Sequence, residues 1–240
     1  GYSTTSRKLV TGSVGVVGSE QIKNTPLRTI DGVLQSKTSG VQINQNSGTP
    51  GSAMSIRLRG GSSINASNAP LVVIDGIPVI TGDFSQIGFE GQGINALSDL
   101  NPGDIESFTV LKDASATAIY GSRGSNGVIL ITTKKGQIKK TDVDLSMSYG
   151  FQTFPWERKP KLLNAAQYNE VMGTNVQGID TDWLKEVMQT APTMNTELSI
   201  SGGDQKTRFY MSGNYYNQDG IAKGTDYERF SGRLNLAHTI

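Results

Sequence analysis

Three stretches in the second half of the chain alternate apolar and polar residues over the length of a strand. Val143, Leu145, Met147, Tyr149 and Phe151 alternate with Asp142, Asp144, Ser146, Ser148 and Gly150. Phe209, Met211, Gly213 and Tyr215 alternate with Arg208, Tyr210, Ser212 and Asn214, and Phe230, Gly232, Leu234 and Leu236 with Arg229, Ser231, Arg233 and Asn235. A period of two puts each apolar set on one side of a strand, so the pattern predicts strands with one apolar and one polar face. Leu198 and Ile200 mark a weaker fourth strand. The turn GGDQK at 202–206 is short and Gly/Asp-rich, whereas the longest link, about 152–192, holds two short helices, one capped at Asn164 and one starting near Asp182.

Residues 1–136 have another rhythm. Thr25-Pro26 opens a helix to about Ser36, with Ile30, Val33 and Leu34 on one side, and Gly40 releases the chain into a strand at Val41–Asn44. After the loop NSGTPGS, Ser55–Arg59 reads as a strand with one apolar and one basic face. Leu71–Ile74 is a buried-type strand that turns at Asp75-Gly76 and restarts at Ile77–Val79. Further strands are predicted at Ile105–Leu111 and Val128–Thr133; between them Asp113 caps a short helix through Tyr120 that Gly121 closes. The change of rhythm falls at KKGQIKK, which divides the chain into a small α/β domain, 1–136, and a run of antiparallel strands, 137–240.

Composition narrows the functional classes. The chain has 240 residues, begins at Gly1, and carries a net charge of +1 with acids and bases interspersed, so it lacks the electrostatic footprint of a nucleic-acid binder. With no cysteine, disulfides, thiolate metal sites and Cys nucleophiles drop out together. No apolar run reaches the ~18–20 residues of a spanning helix, so any membrane span is made by barrel strands. Alternating short and long connections are the connectivity of such a barrel. GSRGSNG at 121–127 has neither dinucleotide-binding nor Walker spacing and reads as turns around a closing strand. His238 is the sole histidine and lies at a strand end, which leaves no Ser-His-Asp constellation and no enzyme reading. Asp142/Asp144 and Asp180/Asp182 read as lumen-facing or loop carboxylates, with a hard-cation site as the minor alternative. The expectation is no resident metal and no cofactor.

The segment LNPGDIESFTVLKDASATAIYGSRGSNGVILITTKKG, residues 100–136, resembles the signature that closes the plug of SusC/RagA-family TonB-dependent outer-membrane transporters. SIRLRG at 55–60 and PLVVIDGIPV at 70–79 resemble two further plug motifs in the right order, and GIAKGTDYERFSGRLNL at 220–236 resembles the early barrel. The resemblance implies an α/β plug domain at 1–136, and at 137–240 about four strands of an incomplete transmembrane β-barrel in the bacterial outer membrane, with 152–192 as an extracellular loop. It also implies TonB as partner, through a box expected upstream of Gly1 because Gly1-Tyr2 resembles the residues just after it. A SusD-like surface lipoprotein is the second implied partner, outer-membrane lipid the surroundings, and an oligosaccharide or a peptide the cargo. A non-transporting surface receptor or scaffold on the same fold is the alternative.

Two sets of residues are candidates for the work. In related plugs the stretch after DGIPV faces the extracellular ligand; here it offers Asp83, Phe84, Gln86, Phe89, Gln92 and Asn95, amides and rings able to hydrogen-bond hydroxyls or peptide groups and to stack on apolar faces. An ordinary polar loop is the competing reading. Arg57 and Arg59 share the polar side of their strand; they pair with carboxylates on the barrel wall or form a solvated basic face.

Overall fold

The computed structural model describes residues 14–23, 40–45, 48–52, 54–58, 69–79, 97, 100–113, 117–175 and 180–239. Two sheets organise them. The first is five-stranded and mixed, built from β1 (Val14–Gly18), β4 (Leu71–Ile74), β5 (Ile77–Val79), β6 (Ile105–Leu111) and β7 (Val128–Thr133), in the order β1-β6-β7-β4-β5. The β4–β7 pair is parallel and the others are antiparallel. Its central strands are rich in Val, Ile and Leu because both of their faces are covered. On one face Val72, Ile105, Phe108, Val110, Ile129 and Ile131 form a buried cluster with Ile43, Ile56 and Leu58 from the separate pair β2 (Val41–Gln45) and β3 (Met54–Leu58). On the other, Leu71, Val73, Leu111 and Val128 pack with Tyr120 and Leu130.

The turn between β4 and β5 takes positive φ at both central residues, 49° at Asp75 and 88° at Gly76. That is the backbone of a tight two-residue hairpin, and Asp-Gly is among the few pairs that tolerate it.

The second sheet is an antiparallel meander of long strands: β8 (Lys139–Gln152), β9 (Ala191–Gly203), β10 (Thr207–Asp219) and β11 (Asp226–His238). Only Asp204–Lys206 joins β9 to β10; the Asp204 carboxylate accepts from the amides of Lys206 and Thr207, at 2.8 and 2.7 Å, and closes the turn. These two hydrogen bonds hold the Asp204 carboxyl below its usual value. The link between β8 and β9 holds α2 (Ala165–Met172) and α3 (Trp183–Val187), numbered after α1 (Ser19–Lys23). Asn164 and Gln167 form a reciprocal capping box on α2, and Asp182 caps α3. Among the described residues no helix is long and apolar enough to cross a membrane.

Some expected boundaries shift. The β3 strand spans Met54–Leu58 rather than Ser55–Arg59, with Ile56 and Leu58 buried and Arg57 exposed. Gly121 closes the first turn as expected: it adopts φ 61°, ψ −149°, and a second 3₁₀ turn follows it within Ala118–Gly124. Without a Cβ it can take that non-helical backbone, which ends one turn and redirects the chain into the next. The segments β1 and α1 carry no clean period in the sequence and were not expected. The helix expected from Thr25 to Ser36 lies outside the described residues.

Candidate functional site

The antiparallel sheet turns its polar face toward the five-stranded sheet, and the seam between them is the candidate site. From β10, Tyr210, Ser212, Asn214 and Tyr216 point inward and are buried; from β9, Asn195 and Glu197 do the same. Period-two alternation places them there, and the same alternation puts Val143, Leu145, Met147, Tyr149 and Phe151 of β8 on the outer face, each 60–68% exposed.

Three groups of bonds tie the sheets together. At the Asp75-Gly76 turn, Arg233 Nη2 donates to Asp75 Oδ2 at 2.8 Å, the Thr133 amide donates to Asp75 Oδ1 at 3.0 Å, and the Thr133 hydroxyl bonds both Asp75 and Arg233. Burial by itself raises the Asp75 pKa, but the hydroxyl and amide of Thr133 and the charges of Arg233 and Lys135 outweigh it and hold the carboxyl below its usual value.

Deeper in the seam, the Tyr210 hydroxyl donates to Asp104 Oδ1 at 2.8 Å, a buried contact between residues 106 positions apart. Asp104 is presented by a short 3₁₀ turn, Pro102–Asp104, whose start is fixed by the Asn101 side chain accepting from the Gly103 amide. In the third group Arg229 donates to the Leu100 carbonyl at 3.3 Å and to Asn214 Oδ1 at 3.2 Å, while its guanidinium lies 5.5 Å from the Tyr216 ring centroid. Asn214 in turn donates to Asn195 Oδ1 at 2.7 Å.

Two glycines mark how closely the sheets approach. A Cβ on Gly136, in the connection between β7 and β8, would lie 2.3 Å from the Phe209 backbone nitrogen; one on Gly103 would meet the Glu197 carboxylate. Beside these contacts a cleft of about 150 Å³ remains, bordered by Ser19 and Ile22 of α1, by Asp144 of β8, and by Asn195, Glu197 and Arg229.

The site differs from the sequence-based candidates. Asp83, Phe84, Gln86, Phe89, Gln92, Asn95 and Arg59 lie outside the described residues. Arg57 is exposed on β3, and among the described residues no hydrogen bond or ion pair joins it to the antiparallel sheet. The arginines that bridge the seam are Arg229 and Arg233, on the opposite side. Their inward direction was readable from the alternation; their partners were not, because nothing local relates Asp75 to Arg233. Asp180 and Asp182 serve the long loop, Asp180 accepting from the Ala165 amide and Asp182 capping α3. His238 Nδ1 is bonded to the Thr207 hydroxyl at 2.8 Å, across the strand pair that follows the short turn.

The outer face has the dimensions of a membrane wall. A 13-residue strand such as β9 is roughly 44 Å long at about 3.4 Å per residue, and a tilt of about 45° projects it onto roughly 30 Å, the depth of a hydrocarbon core. The Tyr215 and Phe230 rings stack on that face with centroids 4.6 Å apart.

The TonB-dependent receptor plug domain family matches residues 6–128. The chain is 42% identical over 237 residues to TonB-dependent receptor P3 of Formosa agariphila, covering 96% of this chain and 22% of that protein. It is 39% identical over 247 residues to TonB-dependent receptor SusC of Bacteroides thetaiotaomicron, covering 99% of this chain and 24% of that protein. Among solved structures, the RagAB peptide importer in its closed-closed state superposes with a TM-score of 0.80 at 31% identity, over 96% of this chain and 29% of that one. The siderophore receptor PirA of Acinetobacter baumannii, at 21% identity and a TM-score of 0.55, shares the fold. The chain spans less than a quarter of the length of these curated relatives. A mixed-sheet domain seated on the polar side of an open antiparallel sheet, in a chain with these relatives, belongs to the TonB-dependent receptors of the SusC/RagA type, as their plug domain and the first strands of their barrel.

Proposed function

We propose that residues 1–136 are the plug and 137–240 the opening wall of an outer-membrane importer of a large nutrient, an oligosaccharide or a peptide, working with TonB and a SusD-like surface lipoprotein. The observation that carries this reading is the seam: the plug is held to a lipid-facing wall by individual polar bonds rather than by an apolar core. Each such bond can be exchanged for water, so a directed pull can free the plug without dismantling the wall. TonB would apply that pull by adding a strand to a coupling box upstream of Gly1, with main-chain hydrogen bonds bearing the load. The energy comes through the partner, so the chain needs no cofactor and carries out no bond chemistry.

Cargo recognition is assigned to the loop after DGIPV, with Phe84 and Phe89 stacking on the ligand and Asp83, Gln86, Gln92 and Asn95 hydrogen-bonding it. Arg57 and Arg59 are proposed to meet carboxylates on wall strands other than β8–β11. The test is uptake of labelled oligosaccharides and peptides by cells expressing the full-length protein, with and without TonB. Import should stop when TonB is absent; undiminished import would refute the proposal. Replacing Phe84 and Phe89 by Ala should weaken ligand binding and leave membrane insertion intact.

A further inference from the structure

The loop between β8 and β9 carries both tryptophans of the chain, Trp156 and Trp183, exposed at 44% and 71%. Trp156 stands edge-on to Phe154 with ring centroids 5.1 Å apart, directly after an equivalent pair, Tyr149 and Phe151 at 5.0 Å, on the outer face of β8. The aromatic stripe of the lipid-facing strand thus continues into the loop. Arg158, Lys159 and Lys161 follow at once, all exposed, with Glu157 as the only acid in the segment 154–161. Lys159 Nζ lies 3.7 Å from Asp182 Oδ2, which brings the start of α3, and with it Trp183, beside the basic segment. Neither α2 nor α3 buries a residue.

Exposed indole rings next to a cluster of cations, at the end of a strand whose outer face is apolar, match the chemistry of a membrane boundary. Tryptophan settles at the headgroup level, and Lys and Arg bind phosphate through charge-assisted hydrogen bonds. We propose that Trp156, Trp183, Arg158, Lys159 and Lys161 form a binding site for a phosphate-bearing lipid of the outer leaflet, the rings against its upper acyl carbons and the cations on its phosphate. This rests on the outer-membrane reading above. The position supports it: the loop leaves the end of β8 opposite the short Asp204–Lys206 turn, and in outer-membrane barrels short turns face the periplasm and long loops the outside.

The experiment uses full-length protein extracted from outer membranes, stripped of lipid, and re-supplied with phosphorylated lipid A or its dephosphorylated form, with bound lipid counted by native mass spectrometry. The double variant Arg158→Gln/Lys161→Gln leaves Lys159 in place, so the ion pair to Asp182 still shapes the loop. Its retention of the phosphorylated lipid should fall roughly tenfold, while the dephosphorylated lipid binds wild type and variant alike. A second variant, Trp156→Ala, should weaken retention of both lipids. Equal retention of phosphorylated lipid by wild type and double variant overturns the proposal. So does loss of a co-purifying surface lipoprotein with lipid retention intact, which would make the patch a protein-docking surface. Wild type absent from the outer membrane would overturn the underlying reading as well, whereas normal insertion with unchanged lipid binding overturns this inference alone.

Discussion

The plug and the wall obey one rule with opposite results. In the plug, Phe108 and Ile129 are fully buried in an apolar core; in the wall, Phe230 is 75% exposed while Asn195, Glu197 and Asn214 are covered. Apolar residues face whatever is most apolar around them, and for the wall, on the outer-membrane function proposed above, that is lipid rather than a neighbouring sheet. The wall has no apolar core of its own, so what it buries against the plug is hydrogen-bonding surface.

Four substitutions test that contrast, the largest first. Phe108→Ala should destabilise the plug by about 3–5 kcal/mol in detergent or lipid alike, read by denaturant unfolding of the full-length protein. Leu198→Arg lies at mid-strand on the outer face, opposite Leu145 and Gly213 in register. It should cost about 2–4 kcal/mol in the folding equilibrium measured in bilayers and far less in water-exposed settings. An equal cost in both would show that this face does not meet lipid. Tyr210→Phe removes the hydroxyl from a buried carboxylate and should weaken plug retention by about 1–3 kcal/mol, visible as a lower force for plug extraction with the wall unchanged.

Asp75→Asn has the smallest effect, about 1 kcal/mol, because the Asp75–Arg233 pair is partly exposed. Its sign with pH is fixed. A carboxyl with a depressed folded pKa contributes its full stabilisation above the ordinary value of 3.8 and loses it as pH falls through the lower folded value. Plug retention should therefore be flat from neutral pH down to that range and decline below it, and Asp75→Asn should abolish this part of the decline.

Legibility in the sequence followed the range of the forces involved. The β6 and β7 strands match their expected limits, because β-branched runs bounded by Asp, Gly and Lys specify both strand and ends. The wall strands were visible from alternation, which reports a two-sided environment without saying what lies on either side. The β1 strand was missed: VGVVG carries two glycines, at 15 and 18, that break any period of two, and it owes its strand state to pairing with β6, from Val14 opposite Leu111 to Gly18 opposite Ser107. The seam was half visible. Tyr210, Arg229 and Arg233 were correctly placed on the polar side, but their partners Asp104, Leu100 and Asp75 are set by how one sheet sits on the other. Arg57 is a candidate by charge alone, and charge does not specify which carboxylate is near; its partner is proposed on wall strands other than β8–β11.

Gly136 carries a consequence for inheritance. The connection between plug and wall looks like a natural splice point, a basic glycine-containing segment between two units. Yet it crosses the backbone at Phe209 with clearance for a hydrogen and nothing larger. Exchange of plugs between relatives by recombination at this junction would then yield working hybrids only where glycine survives at position 136. The place where the chain looks easiest to cut is one where a side chain has no room.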